Sequence, residues 1–187
     1  MPNKNLKKKY VFVGDLNSVN MELISKSHPT LKNKVNYILI GNKIKVHAYL
    51  KKIKSNLFLN EIFDPLGFSD YKKIFLNIFH IEDISKDSYK NLLNQIKIAN
   101  EMSNHTKSDL ITMPINKAVF KKNMEFIGMT EYLGKLNNKK TIMLMHGEHF
   151  SIVPYTTHIE IKKINLYLKK DLITKFLDNL YKFIQIL

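Results

Sequence analysis

Three short segments bring together side chains that could do chemistry. Gly14-Asp15-Leu16-Asn17-Ser18-Val19-Asn20-Met21-Glu22 follows an apolar run and precedes a helical pattern, the place where α/β proteins build ligand loops. Asp15 would put a carboxylate there. Read alone, the segment is equally an ordinary strand-to-helix turn. It lacks the later glycines of G-x-G-x-x-G, and the chain has no Walker A loop. The second segment, Thr112-Met113-Pro114-Ile115-Asn116-Lys117, comes off another strand end. Asn116 and Lys117 at a helix N-terminus would suit an anionic substrate, although Lys117 is also one of thirty lysines. The third pairs Gly128-Met129-Thr130-Glu131 with Tyr155-Thr156-Thr157-His158. A histidine closing a strand behind two threonines suits metal ligation, its other nitrogen fixed by an acceptor. A single histidine is also a common structural residue. His146 and His149 fall on a hairpin turn, do not match H-E-x-x-H, and read as solvent-facing.

The elements that must position these segments follow from periodicity. Lys9-Tyr10-Val11-Phe12-Val13 reads as a buried first strand ended by Gly14-Asp15. A short helix is expected over 21–26, a second strand over 35–40, and a helix over 44–53 with Val46, Leu50 and Ile53 on one side. Residues 57–63 are strand-like until Asp64-Pro65-Leu66-Gly67 breaks them. From Ile84 to Met102, apolar residues recur at three and four, the mark of an amphipathic helix. Leu110–Met113 is a strand stopped by Pro114, with a short helix expected from Lys117. Residues 141–145 and 150–153 form a hairpin around His146-Gly147-Glu148-His149. A last helix starts near Leu172 and runs apolar to Leu187, with no glycine cap. This pattern suits a terminal helix and also a chain cut before its next strand. Alternating strands and helices predict an α/β protein with a largely parallel sheet and some antiparallel pairing. With no Pro/Gly/Ser-rich linker, no internal boundary is expected within 1–187.

Composition bounds the chemistry. The 187 residues contain no cysteine, which excludes disulfides and thiolate sites. No apolar run reaches the roughly 18 residues of a membrane span, and the apolar stretch behind the basic N-terminus is too short for a secretory signal. The default expectation is a soluble cytoplasmic protein. The net charge is +14, but every basic residue is lysine and none is the arginine that reads guanine and phosphate bidentately. With abundant Asn and Ile, this favours compositional drift over a nucleic-acid footprint, though lysines suffice for non-specific binding.

In order and spacing the segments resemble the 4-hydroxythreonine-4-phosphate dehydrogenase family of vitamin B6 synthesis. The family's G-D-P-x-G-I-G-P-E is represented by Gly14 to Glu22, its T-x-P-I-N-K is complete in Thr112 to Lys117, its G-H-T-E reads Gly128-Met129-Thr130-Glu131, and its T-T-H is Thr156-Thr157-His158. The resemblance covers nearly the whole chain but only the N-terminal half, or a little more, of the family.

The resemblance implies an α/β/α fold like the N-terminal part of isocitrate and isopropylmalate dehydrogenases. It also implies a dimer with a shared cleft, and NAD-dependent oxidation and decarboxylation of 4-phosphooxy-L-threonine aided by a divalent metal (zinc, magnesium or cobalt). It assigns His158 to the metal and Thr130 to the substrate. Met129 stands where the family has a substrate-binding histidine. Asp15, Asn116 and Lys117 are candidate cleft residues. The family's later metal histidines, in N-P-H-A-G-E and H-D-Q, have no counterpart in these 187 residues. The expected partners are therefore a second copy or a separately encoded C-terminal half. A half-fold without turnover is the rival reading, and a lysine-rich nucleic-acid binder the remote one.

Overall fold

The computed structural model of the chain describes residues 8–67, 70–116 and 128–185. It divides into two compact units, Met1–Phe126 and Ile127–Leu187. Composition marks no linker between them. Lys117 and the helix expected to start there lie outside the described residues.

Unit one is a five-stranded parallel sheet. Its strands are β1 (Lys8–Phe12), β2 (Asn36–Gly41), β3 (Leu59–Glu61), β4 (Leu76–His80) and β5 (Asp109–Thr112), in the order β3-β4-β2-β1-β5. Strands buried on both faces should be apolar throughout, and β2, with all six residues buried, comes closest. Residues on one face alternate with those on the other. Val11, Val13, Tyr37, Leu39, Leu76 and Ile78 form one core with Met21 and Ile24 of α1 (Asn20–Leu31) and Val46 and Leu50 of α2 (Lys43–Lys52). The alternate residues Tyr10, Phe12, Ile38 and Ile40 are also buried. They belong to the face on which α3 (Ser88–Thr106) packs against β1, β2 and β5.

Helix starts follow from capping. Asn42 accepts a hydrogen bond from the Lys45 amide at 3.1 Å, and Asp87 accepts one from the Tyr89 amide at 2.9 Å. Each satisfies an amide that has no partner within its helix. Asp87 thus starts α3 after the expected Ile84, and Asn91 holds the preceding loop through the Ile84 and Ser85 amides. The helix expected over 21–26 runs to Leu31, with Pro29 in its last turns.

β4 has no counterpart among the sequence expectations. Asn77 interrupts its apolar pattern, yet that side chain is buried and fully engaged. It donates to the carbonyls of Lys72 and Phe75 and accepts from the Lys72 amide and from Asn60. A polar residue so satisfied can occupy a core strand.

Unit two contains α4 (Met129–Leu136), a two-stranded antiparallel ribbon of β6 (Met145–His146) and β7 (Ser151–Ile152), a 3₁₀ turn (Ile161–Leu166) and α5 (Lys170–Ile184). The hairpin is present but much shorter than expected, with His146 and His149 both exposed. Helix α5 buries none of its residues fully, and Leu177 and Ile184 stay 54% and 55% exposed. The hydrophobic core therefore lies in unit one. Among the described residues no helix is long and apolar enough to cross a membrane.

Candidate functional site

In unit one, the first two motifs meet at the carboxyl ends of β1 and β5. Gly14 turns the chain with a φ of +69°, a conformation open to glycine at little steric cost. A Cβ at this position would stand 2.8 Å from the Met113 carbonyl oxygen and 2.7 Å from Asn20 Nδ2. The Asp15 amide donates to the Pro114 carbonyl at 3.2 Å. Asn20, fully buried, donates from Nδ2 to the carbonyl oxygens of Val13, Asp15 and Pro114 at 3.0, 3.2 and 2.7 Å.

Asn20 stands where the family motif has its last glycine. Together with Ser18, whose hydroxyl donates to the Asp15 carbonyl at 2.6 Å, it replaces glycine turns with side-chain hydrogen bonds. The loop is therefore ordered despite its lost prolines and glycines.

Asp15 is buried, and its Oδ1 accepts from the Asn17 amide at 2.9 Å. It borders a cleft of about 440 Å³ whose walls include Asn42, Tyr49, Asp83, Asn91 and Gln95. Lys45 pairs with Asp83, which also accepts from Asn42 at 3.3 Å. Tyr49 donates to the Ser18 carbonyl at 2.9 Å. Loss of solvent, and then the Glu22 carboxylate nearby, hold its hydroxyl above the usual tyrosine range. Asn116 lies outside this wall. Sequence reasoning did not single out Gln95. Its signal was an amide on the α3 face that also carries Leu92, Ile96 and Ala99.

In unit two the structure brings the third pair of segments together. Gly128 is the N-cap of α4, and Glu131 projects from the first turn toward His158, with Oε1 3.9 Å from Nε2. Thr130 lines a cavity of about 910 Å³ with Thr156 and Thr157, and Lys140, Lys175 and Lys182 share its wall. Met129 is half-buried and is not part of that wall.

One expectation is corrected here. His158 does not close a strand: β7 ends at Ile152, and His158 sits in a loop with a φ of +56° and a side chain 56% exposed. The Tyr155 ring instead packs edge-on against Phe176 of α5, with centroids 5.1 Å apart, so this stretch is held by side-chain packing rather than by a ladder.

His158 and Glu131 supply two donor groups to a metal, whereas a catalytic site typically takes about three from protein. Among the described residues no group of three or more acidic or histidine side chains could hold an ion. The residues present therefore do not by themselves fit a catalytic metal.

A sequence model of the family described as "Pyridoxal phosphate biosynthetic protein PdxA" matches residues 11–186. The chain belongs to the PdxA family. The 4-hydroxythreonine-4-phosphate dehydrogenase of Campylobacter fetus subsp. fetus is 32% identical over 186 residues, covering 95% of this chain and 56% of that protein. The enzyme of the same name from Aquifex aeolicus is 28% identical, covering 90% and 55%. The chain thus spans about half the length of the curated PdxA relatives it matches. Among solved structures, the 4-hydroxythreonine-4-phosphate dehydrogenase of Klebsiella pneumoniae superposes with a TM-score of 0.80 at 19% identity, over 98% of this chain and 60% of that one. The expected α/β fold is that of this family, the isocitrate/isopropylmalate dehydrogenase-like fold.

Proposed function

We propose that the chain serves the 4-hydroxythreonine-4-phosphate dehydrogenase reaction by supplying the N-terminal half of its active site. In that reaction the substrate alcohol gives a hydride to NAD and a proton to a base, and the resulting keto acid loses carbon dioxide. One observation carries the reading. Gly128–Glu131 and Thr156–His158, distant in sequence, lie together in unit two, with Thr130, Thr156 and Thr157 on one cavity wall.

The chemistry of that cavity supports a phosphorylated amino-acid substrate. Three lysines offer positive charge, and threonine hydroxyls both donate and accept. Thr130 binds substrate in this reading, and Met129 leaves the position of the family's histidine without a strong donor. Asp15 is retained as a cleft residue, while Asn116, outside the described cleft wall, and Lys117, outside the described residues, are proposed from the resemblance alone. His158 would be one ligand of a divalent metal whose other ligands are not among the described residues, and such a metal would supply Lewis-acid chemistry. Its remaining ligands, and the residues that hold NAD, would belong to the part of the family fold that these residues do not span. The setting is cytoplasmic.

Met129 and the incomplete donor set favour a second reading, a half-fold that binds without turnover. Titration of the chain with O-phospho-L-threonine, followed by amide NMR, tests the binding claim common to both. Shifts at Thr130 and Thr157 that weaken in Thr130→Val are expected. Saturable binding elsewhere, or none, contradicts it.

A further inference from the structure

Within unit one, residues of α2 and of the segment entering β3 line a groove of about 400 Å³. Leu50, 2% exposed, and Leu57 and Leu59 give it an apolar lining. Ile44 on the helix side and Phe58 on the strand side are each 71% exposed, so large apolar side chains meet solvent on both walls. Such a grouping marks an interaction surface.

Charge and backbone narrow what fits it. Residues 43–58 carry five lysines and no carboxylate. Lys43 is paired with Glu61 and Lys45 with Asp83. His47 and Lys51, one helical turn apart on the groove wall, have no ion pair or side-chain hydrogen bond among the described residues. β3 is an edge strand of its sheet. The Phe58 carbonyl accepts from the Leu76 amide at 2.9 Å, and the Ile62 amide donates to the Ile78 carbonyl at 2.8 Å. Phe58, Asn60 and Ile62 therefore turn their backbone groups toward β4, and Leu59 and Glu61 turn theirs to the open edge, a template for a further strand.

We propose that this groove docks an extended acidic segment of a partner protein, which pairs with the open edge of β3, lays an apolar side chain over Leu50 and Leu57, and sets carboxylates against His47 and Lys51. Strand addition of this kind takes affinity from main-chain bonds and specificity from side-chain pockets. The spacing agrees: four residues of helix rise about 6 Å, and alternate side chains of an extended chain stand about 7 Å apart. A second copy of this chain, itself at +14, is repelled by the same lysines. A bilayer suits protruding side chains rather than a concave groove. The inference uses none of Met129, Thr130 or His158 and stands apart from the dehydrogenase reading.

The test uses the full chain, isotope-labelled, titrated with a short amidated peptide alternating glutamate with leucine. Controls are a peptide of the same composition with its glutamates in one block, phosphatidylglycerol vesicles and duplex DNA. The alternating peptide should shift the Leu59 and Glu61 amide signals saturably and bind more tightly than the block peptide. Lys51→Glu and Ile44→Ser, both at exposed positions, should each weaken it at least about fivefold while leaving the thermal midpoint unchanged. Equal binding of the two peptides would show attraction by charge alone and overturn the proposal. So would absence of the shifts, indifference to both substitutions, or vesicles or DNA engaging these residues in place of the peptide.

Discussion

Asn20 Nδ2 donates to the carbonyl oxygen of Pro114, 94 residues further along the chain, at 2.7 Å. This bond, with the one from the Asp15 amide to the same oxygen, joins the two motifs of unit one at the edge of the sheet. Three carbonyls around one amide nitrogen fix which end of the Asn20 side chain is the donor.

Asn20→Ala should therefore destabilise the chain by about 2 kcal/mol, since buried carbonyls lose their donor. Asn20→Asp should cost more, because it turns a carboxylate oxygen toward oxygen acceptors. Urea denaturation checks both, and an Asp variant as stable as the parent would refute the assigned geometry.

Gly14→Ala should cost about 1–3 kcal/mol, from the left-handed backbone and the crowding against Met113 and Asn20. The same denaturation series measures it, with Gly147→Ala, where φ is not positive, as the milder comparison.

His28 should make stability depend on pH. It is buried, with Nε2 3.4 Å from the Ile74 carbonyl and Nδ1 2.7 Å from the Tyr37 hydroxyl. A carbonyl only accepts, so Nε2 carries the proton and Tyr37 donates to Nδ1. Burial lowers the pKa of this histidine from its ordinary value. The unfolded chain, with its histidine near 6.5, then binds the proton more readily than the folded one. The stabilisation is complete above about pH 6.5 and is lost as pH falls through the folded value. His28→Gln should flatten the loss of thermal midpoint on acidification, and an unchanged slope would contradict this.

The sheet was largely legible in the sequence because β1, β2 and β5 read as compact apolar runs ended by glycine or proline. β4 was not, because its buried Asn77 is satisfied by partners that only tertiary structure reveals. The same limit hid Asn20 and Gln95: a buried amide's role depends on which groups surround it. In unit two, the motif residues Thr130 and His158 were visible by resemblance. The T-T-H stretch read as a strand end because its threonines favour strands, yet the Tyr155–Phe176 contact sets its path instead.

Met129→His should tighten binding of O-phospho-L-threonine at least about fivefold, by restoring a donor at the substrate position. Titration calorimetry measures it. Unchanged or weaker binding would mean that this position does not face the substrate.

The central claim is that this chain supplies only part of a dehydrogenase site, with His158 in it. The direct measurement is NADH formation from 4-phosphooxy-L-threonine and NAD with a divalent metal. It is made for the chain alone and again with a polypeptide carrying the family's N-P-H-A-G-E and H-D-Q segments. The account predicts no turnover by the chain alone, turnover on combination, and its loss in His158→Ala. Metal-dependent NADH formation by the chain alone, or activity on combination that survives His158→Ala, would contradict it.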